Sequence, residues 1–162
     1  MPVTLRRMDV RRLPAWLERS RDEYANDLVT AGQTPQDARR HADESMAGSF
    51  PAGAPLPGHV VFDVVDDAGE VVGYLWIGPD TSDDPGAWWI WDILIDTDKR
   101  GLGLGRRTMV LGEEYARAQG AHTIGLSVFG FNTGAHGLYE SLGYETTTIK
   151  MHKRLGRGQS NS

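Results

Sequence analysis

The sequence contains no cysteine. This absence excludes a disulfide framework, a thiolate metal site and a cysteine nucleophile. The histidines also lack the spacing typical of metal ligands; they are His41, His59, His122, His136 and His152. We therefore predict a protein that binds no metal, and we expect it in the cytoplasm, where structural disulfides are rare.

Long apolar runs and excess positive charge are missing as well. No apolar run approaches the ~20 residues that a membrane-spanning helix needs, and residues 1–12 lack the apolar core of a secretory signal. The formal net charge is −5, whereas nonspecific binding of nucleic acid favours a basic surface. We therefore expect neither a membrane nor nucleic acid as a partner. The acidic balance slightly favours a cationic small molecule.

The composition is that of an ordinary globular protein. The chain has 162 residues, of which 40% are hydrophobic and 24% charged, enough to form one domain with a core. No internal repeat or linker is visible. We predict a single domain over residues 1–155, followed by a polar tail over residues 156–162 that we expect to be disordered.

The hydrophobic pattern predicts the order β-α-α-β-β-β-α-β-α-β. The predicted strands cover residues 3–8, 59–65, 70–77, 88–95, 123–129 and 144–155. The second, third and fourth of these are predicted to be antiparallel neighbours. The predicted helices run from about residue 9 to 32, 34 to 47, 104 to 119 and 132 to 142. Strict alternation along the 88–95 strand would place Trp89 and Trp91 on one face, and Trp88 and Asp92 on the other.

Glycine is concentrated between the fourth strand and the third helix. Residues 99–107 read Lys-Arg-Gly-Leu-Gly-Leu-Gly-Arg-Arg. Glycines at alternate positions let consecutive backbone N–H groups point at one anion, and the helix that follows adds its positive N-terminal end. This pattern predicts a diphosphate site. It is neither a dinucleotide fingerprint, since the sixth position counted from Gly101 is Arg106, nor a Walker loop.

A second motif covers the last predicted helix, residues 132–144. Asn132 stands at the helix start, where its side chain can cap the helix or bind a ligand amide. Tyr139 lies two turns further along nearly the same side, roughly ~10 Å away at ~1.5 Å per residue. One extended ligand could contact both side chains.

Together these motifs resemble those of the GNAT superfamily of N-acetyltransferases. Arg100, Gly103 and Gly105 match the family's acetyl-CoA signature [QR]-x-x-G-x-[GA], and residues 132–144 match N-x-x-A-x-x-[LF]-Y-x-x-x-G-[FY]. The resemblance covers about residues 3–155. It implies the α/β (α+β) GNAT fold, in which a mixed, mostly antiparallel sheet splays apart between strands 4 and 5 and is flanked by about four helices.

The resemblance also implies how acetyl-CoA would bind. The pantetheine arm would lie in the splayed gap, paired with the main chain of Ile93, Leu94 and Ile95 and reached by Asn132 and Tyr139. The diphosphate would lie on the glycine-rich segment, formed by Arg100, Gly101, Leu102, Gly103, Leu104, Gly105 and Arg106. No metal is implied.

In such enzymes the acceptor amine attacks the acetyl group directly, with no acyl-enzyme. Tyr139 matches the position of the family's general acid. An ammonium must lose a proton before it attacks, and Asp92, a carboxylate among apolar strand residues, should have a raised pKa that suits a general base. Some family members use an acidic residue at about this place and others a chain of water molecules, and both remain open here.

Several alternatives remain open from the sequence. The acceptor could be a polyamine, an aminoglycoside-like antibiotic, an amino acid or a protein amine. The acyl group could be larger than acetyl, and a noncatalytic acyl-CoA sensor is the alternative from another class of protein. The short segment after the last helix leaves the acceptor side either open or completed by a second copy in a homodimer.

Overall fold

The computed structural model describes residues 2–156. Most of the predicted tail, residues 157–162, lies outside the described residues. The helices and strands are β1 (Val3–Arg7), α1 (Leu13–Thr30), α2 (Pro35–Ser49), β2 (Val60–Asp66), β3 (Val71–Pro79), β4 (Ala87–Ile95), α3 (Leu104–Ala118), β5 (Thr123–Leu126) and α4 (Thr133–Ser141). This order confirms the predicted one up to the last helix.

The strands form one sheet in the order β1-β2-β3-β4-β5. The first four strands are antiparallel neighbours, whereas β5 runs parallel to β4. The sheet is therefore mixed and mostly antiparallel, as the resemblance implied. The parallel pair is possible because α3 connects β4 to β5 across one face of the sheet.

One face of the sheet packs against α3. Leu75 and Ile77 of β3 and Met109 of α3 are 0% exposed, and Trp88 and Ile90 of β4 lie in the same cluster. Burying each such side chain stabilises the fold by about 1.5–3 kcal/mol. This face therefore fixes α3, and with it the glycine-rich segment that precedes α3, against the sheet.

The other face packs against α1 and the end of α2, and it is largely aromatic. Trp16 of α1 makes edge contacts with the rings of Phe50, Tyr74 and Trp76, at centroid distances of 5.5, 5.5 and 5.9 Å. Such edge-to-face pairs contribute about 0.5–1.5 kcal/mol each beyond the burial of their area. They hold α1 at a fixed distance over β3.

Strands β4 and β5 separate after four residue pairs. Ala87–Ile90 pair with Thr123–Leu126, and β5 ends at Leu126, three residues before the predicted end. The rest of β4, through Ile95, pairs with β3 alone. The main chain of Ile93, Leu94 and Ile95 therefore borders the predicted gap on its β5 side.

A β-bulge changes which way Asp92 faces. Ile77 pairs with Ile90 and Trp76 pairs with Asp92, so Trp91 is an extra residue in β4. A bulge interrupts the two-residue alternation of a strand, and Trp91 and Asp92 both face α1. The prediction that Asp92 faces away from Trp91 is therefore wrong.

The predicted final strand over residues 144–155 is also wrong. This segment has no regular secondary structure, and Ile149, Met151 and Leu155 are 75%, 90% and 84% exposed. Arg154 donates to the Gly32 carbonyl at 3.1 Å, so the segment crosses the end of α1 and does not pair with β5. Weak alternation predicted a strand, but a strand also needs a partner and a buried face.

Candidate active site

The glycine-rich segment turns sharply between β4 and α3. Gly101 and Gly103 have φ values of 79° and 76°, in the left-handed region that favours glycine. A Cβ at either position would meet no atom within 4 Å, so backbone conformation, and not crowding by the protein, demands glycine here. Gly103 is the N-cap residue of α3, and no side chain caps that helix.

The backbone N–H groups of residues 101–106 have no hydrogen-bond partner within the described part of the chain. The first bonded amide of α3 is that of Arg107, which donates to Gly103 O at 3.2 Å. Unpaired amides at a helix N-terminus carry the positive end of the helix dipole. This segment therefore offers consecutive donors to an anion.

The side chains of this segment fasten it to its neighbours. Arg100 Nε donates to Ile95 O at 3.0 Å, which holds the turn against the end of β4, and Arg106 donates to Ser141 Oγ of α4. The Leu104 side chain is 1% exposed in the core, so only its amide is available to a ligand, whereas Leu102 is 51% exposed.

Helix α4 follows β5 and lies beside the first turn of α3. Asn132 is its N-cap residue, and Asn132 Oδ1 accepts from the Ala135 amide at 3.4 Å. A Cβ on Gly105 would lie 3.5 Å from Leu138 Cδ2, so the first turn of α3 packs closely against α4. The two sequence motifs are therefore neighbours in space.

Tyr139 of α4 is half-buried beside Tyr144, with ring centroids 6.0 Å apart. Within residues 2–156 its hydroxyl has no hydrogen-bond partner. Burial, and then the negative charge of Asp92, raise the pKa of Tyr139 above its usual value. Tyr139 is therefore protonated near neutral pH and can donate a hydrogen bond or a proton.

Asp92 is held by two hydroxyl groups. Its Oδ2 atom lies 2.9 Å from Ser20 Oγ of α1 and 2.9 Å from Tyr74 Oη of β3. Burial raises the pKa of Asp92 to about 6, helped by the charge of Glu23 and opposed by the bonds from Ser20 and Tyr74. A carboxylate with this pKa is ionised at neutral pH, yet it is a stronger base than an exposed aspartate.

Sequence reasoning missed Ser20, Glu23 and Tyr74. Ser20 is 3% exposed on the buried face of α1, one turn after Trp16. A serine in the apolar stripe of a helix is a usable signal, because a buried hydroxyl needs a partner. The partner itself could not be found from the sequence, because the bulge in β4 decides that Asp92 faces α1.

An aromatic wall lies on the same face of the sheet as Asp92. The ring of Trp91 stacks on both His59 and Trp76, at centroid distances of 5.6 and 5.7 Å, and the His59 and Trp76 rings are themselves 6.1 Å apart. A Cβ on Gly125 would lie 2.5 Å from the Trp89 ring, so only glycine lets this ring cross from β4 to β5. Burial lowers the pKa of His59, which is therefore neutral at pH 7.

The described residues contain no group of three or more side chains that could hold a metal ion. A search of the same residues finds no helix that is both long enough and apolar enough to span a bilayer.

Comparisons with known proteins give the family. Residues 15–144 match the model of the acetyltransferase (GNAT) family. The chain is 27% identical over 156 residues to the uncharacterized N-acetyltransferase YycN of Bacillus subtilis, which covers 96% of this chain and 100% of YycN. The crystal structure of YycN superimposes with a TM-score of 0.88 at 26% identity, over the same shares of the two chains.

Two further similarities are weaker. The chain is 29% identical over 144 residues to the mycothiol acetyltransferase of Thermobispora bispora. The aligned region covers 86% of this chain but only 45% of that protein. An aminoglycoside N-acetyltransferase solved in complex with CoA shares the fold, with a TM-score of 0.58 at 14% identity over 96% of each chain. The chain belongs to the GNAT family: it is an acyl-CoA-dependent acetyltransferase, and acetyl-CoA is its cosubstrate.

Proposed function

We propose that the protein transfers the acetyl group of acetyl-CoA to a primary amine by direct attack, with Asp92 as general base and Tyr139 as general acid. The observation that carries this proposal is the bulge in β4. It places the Asp92 carboxylate on the α1 face, where Ser20 and Tyr74 hold it, while the free Tyr139 hydroxyl lies close enough for the Asp92 charge to raise its pKa.

The donor would bind across the two sequence motifs. The diphosphate would accept hydrogen bonds from the free amides of residues 101–106, and Arg100 and Arg106 would add positive charge. The pantetheine arm would lie along Ile93, Leu94 and Ile95, where β4 has no partner on its β5 side, and it would pass Asn132. This arrangement would place the acetyl group between Asp92 and Tyr139.

Three proton transfers then balance the reaction. Asp92 accepts a proton from the acceptor ammonium, which frees the nitrogen lone pair for attack on the acetyl carbonyl carbon. When the tetrahedral intermediate collapses, the C–S bond breaks and Tyr139 donates a proton to the departing thiolate, whose conjugate thiol has a pKa of ~8.5. The nitrogen, cationic after the attack, loses its second proton, and this proton restores the Tyr139 phenol. The absence of cysteine is consistent with this route, which needs no acyl-enzyme.

We further propose that the acceptor is a small cationic amine. Support comes from two further carboxylates on α1, Glu23 and Asp27. The charge of Glu23 acts on Asp92, and burial, followed by the charge of Glu23, raises the pKa of Asp27. The aromatic wall of Trp89 and Trp91 lies on the same face, and ring faces attract cations. A cation would gain from both features, whereas an anionic acceptor would be repelled.

The test is an acetyl-transfer assay that follows the free thiol of CoA over a panel of amines. The panel compares polyamines, aminoglycosides, amino acids and peptide amines at equal concentration. We expect turnover with cationic small amines, lost in Asp92→Asn and retained in the control Asp67→Asn, which changes an exposed carboxylate in the β2–β3 turn. Equal turnover by Asp92→Asn and the parent would contradict the general-base role.

A further inference from the structure

Tyr74 Oη lies within hydrogen-bond distance of two carboxylates. It is 2.9 Å from Asp92 Oδ2 and 2.7 Å from Glu23 Oε2. A phenol has one proton, so it can donate to only one of the two oxygens at a time. The second contact becomes a hydrogen bond only when one of the carboxyl groups itself holds a proton. The geometry therefore fits three groups that share protons.

The three groups run from the interior to the surface. Tyr74 is 2% exposed, and its hydroxyl lies beneath α1. The Glu23 side chain is 34% exposed on α1, where water can reach it. Asp92, at the other end, borders the proposed site of attack. Among residues 2–156, Tyr74 alone forms hydrogen bonds with both the inner and the outer carboxylate.

Arg19 fixes the outer carboxylate. Arg19 Nε donates to Glu23 Oε1 at 3.1 Å, which leaves Oε2 for Tyr74. The same guanidinium contacts Asp96 at 3.4 Å and lies 5.6 Å from the centre of the Tyr74 ring. Through these contacts Arg19 holds the Glu23 carboxylate and the Tyr74 ring in fixed positions relative to each other.

We propose that Tyr74 and Glu23 carry the proton that Asp92 takes from the acceptor amine out to solvent. This inference rests on the proposed function of Asp92. The N–H bond of the ammonium breaks and its proton passes to the Asp92 carboxylate. The proton then passes from Oδ2 to Tyr74 Oη while the hydroxyl proton of Tyr74 passes to Glu23 Oε2, and Glu23 releases it to water.

The balance is one proton, with no electron transferred. Burial and the two neighbouring carboxylates raise the pKa of Tyr74, so a free phenolate is not an intermediate and the two transfers at Oη occur together. Asp92 is faced by Ser20 and Glu23 from α1, by Tyr74 from β3 and by Tyr139 from α4. Tyr74 and Glu23 are therefore positioning residues that act through Asp92.

The test is turnover at pH 8, where Asp92 is ionised, in dilute buffer and with added imidazole. Glu23→Gln keeps the size of the side chain but cannot accept the proton. We expect its kcat to fall about 5- to 20-fold in dilute buffer, less than the ~100-fold or more of a missing general base, because Asp92 itself is kept, with an unchanged KM for acetyl-CoA. Imidazole should restore turnover in Glu23→Ala, because the truncated side chain leaves room for a small base beside the Tyr74 hydroxyl.

Tyr74→Phe should lose a similar factor, but imidazole should not restore it because the missing link is buried. Glu18→Gln on the exposed face of α1 and Tyr115→Phe on α3 are the matched controls, and both should behave as the parent. A thermal midpoint close to the parent's for Glu23→Gln shows that the fold is intact, because Glu23 is partly exposed.

The two proposals fail differently. If Asp92→Asn is inactive while Glu23→Gln keeps the parent's kcat in dilute buffer, the relay is wrong and the general base stands. A loss in Glu23→Ala that no concentration of imidazole reverses would also overturn the relay. If Asp92→Asn retains full turnover, the base assignment is wrong and the relay is wrong with it.

Discussion

The proposed donor side and the proposed acceptor side of this site are built differently. The donor side consists of backbone amides on the glycine-rich segment, with α4 beside it, and both parts carry a sequence motif. The acceptor side consists of side chains from α1, β3 and the bulged half of β4, which carry no motif. A site made of consecutive backbone amides must lie on one segment, so it requires a fixed spacing of residues in the sequence. A site made of side chains can draw its residues from distant parts of the chain, as long as the fold brings them together.

This difference has a consequence for function. On the proposed assignment, free amides on one segment would recognise the same diphosphate whatever the acceptor is. The Ser20, Glu23 and Tyr74 side chains can change without disturbing the donor segment, because they lie on the face of the sheet that packs against α1, opposite the face that packs against α3. We therefore expect substitutions on the two sides to separate cleanly in kinetics.

The largest effect should come from the acceptor side. Asp92→Asn removes the general base and keeps the shape of the side chain, so we expect kcat to fall about 100-fold or more, as is usual for acid–base catalysis. The affinity for CoA, measured by calorimetry, should match the parent's. If the affinity of Asp92→Asn for CoA fell by as large a factor as its kcat, the two sides would not act independently and the comparison would fail.

The donor side should respond in the opposite way. Gly103→Val places a β-branched side chain at a φ of 76°, beside the free amides. We expect CoA to bind about 10- to 100-fold more weakly and the KM for every amine to stay near the parent's. Gly69→Val is the matched control, since Gly69 has a φ of 79° in open space at the β2–β3 turn.

Tyr139 lies between the two sides. Tyr139→Phe removes the free hydroxyl and keeps the ring beside Tyr144. We expect kcat to fall about 10-fold, less than the ~100-fold typical of a missing general acid, because a thiolate whose thiol has a pKa of ~8.5 can also depart unprotonated. The loss should shrink when the thioester carries a more acidic leaving thiol, because that thiolate needs no proton. Turnover equal to the parent's with acetyl-CoA would contradict the general-acid role.

A smaller effect is expected at the aromatic wall. Gly125→Ala would force the Trp89 ring to move, because a Cβ there would lie 2.5 Å from it. We expect the KM for cationic amines to rise about 3- to 10-fold, in line with the loss of one cation–π contact, with CoA affinity unchanged. Gly48→Ala, which meets open space on α2, should leave both constants as in the parent.

The smallest effect is a shift in pH dependence. The pKa of Asp92 is about 6, so kcat/KM should rise with pH through that value as the base ionises. Ser20→Ala removes a hydrogen bond that favours the ionised form, and the acidic limb should move to higher pH. Glu23→Gln removes a negative charge and should move the same limb to lower pH. Shifts in the same direction would contradict this account of Asp92.

Much of the fold could be predicted from the sequence, and so could the local geometry of the proposed donor side. The positive φ of Gly103 and the helix cap at Asn132 are local properties that follow from residue type. The binding roles of segment 100–106, Asn132 and Tyr139 stay predictions. The assumption that strand residues alternate between the two faces of the sheet failed at Asp92, because the extra residue Trp91 moves the Asp92 side chain to the other face. It also failed over residues 144–155, where the pattern of a strand was present but no strand was there to pair with it.

The central claim is that the free amides of residues 101–106 bind the diphosphate of CoA. The most direct measurement follows the backbone amide resonances of the labelled protein by NMR during a titration with CoA. We predict large downfield shifts of the amide protons of this segment, saturating with the binding isotherm, while the Gly69 resonance stays in place. Saturable binding of CoA that leaves the resonances of residues 101–106 unmoved would contradict the account.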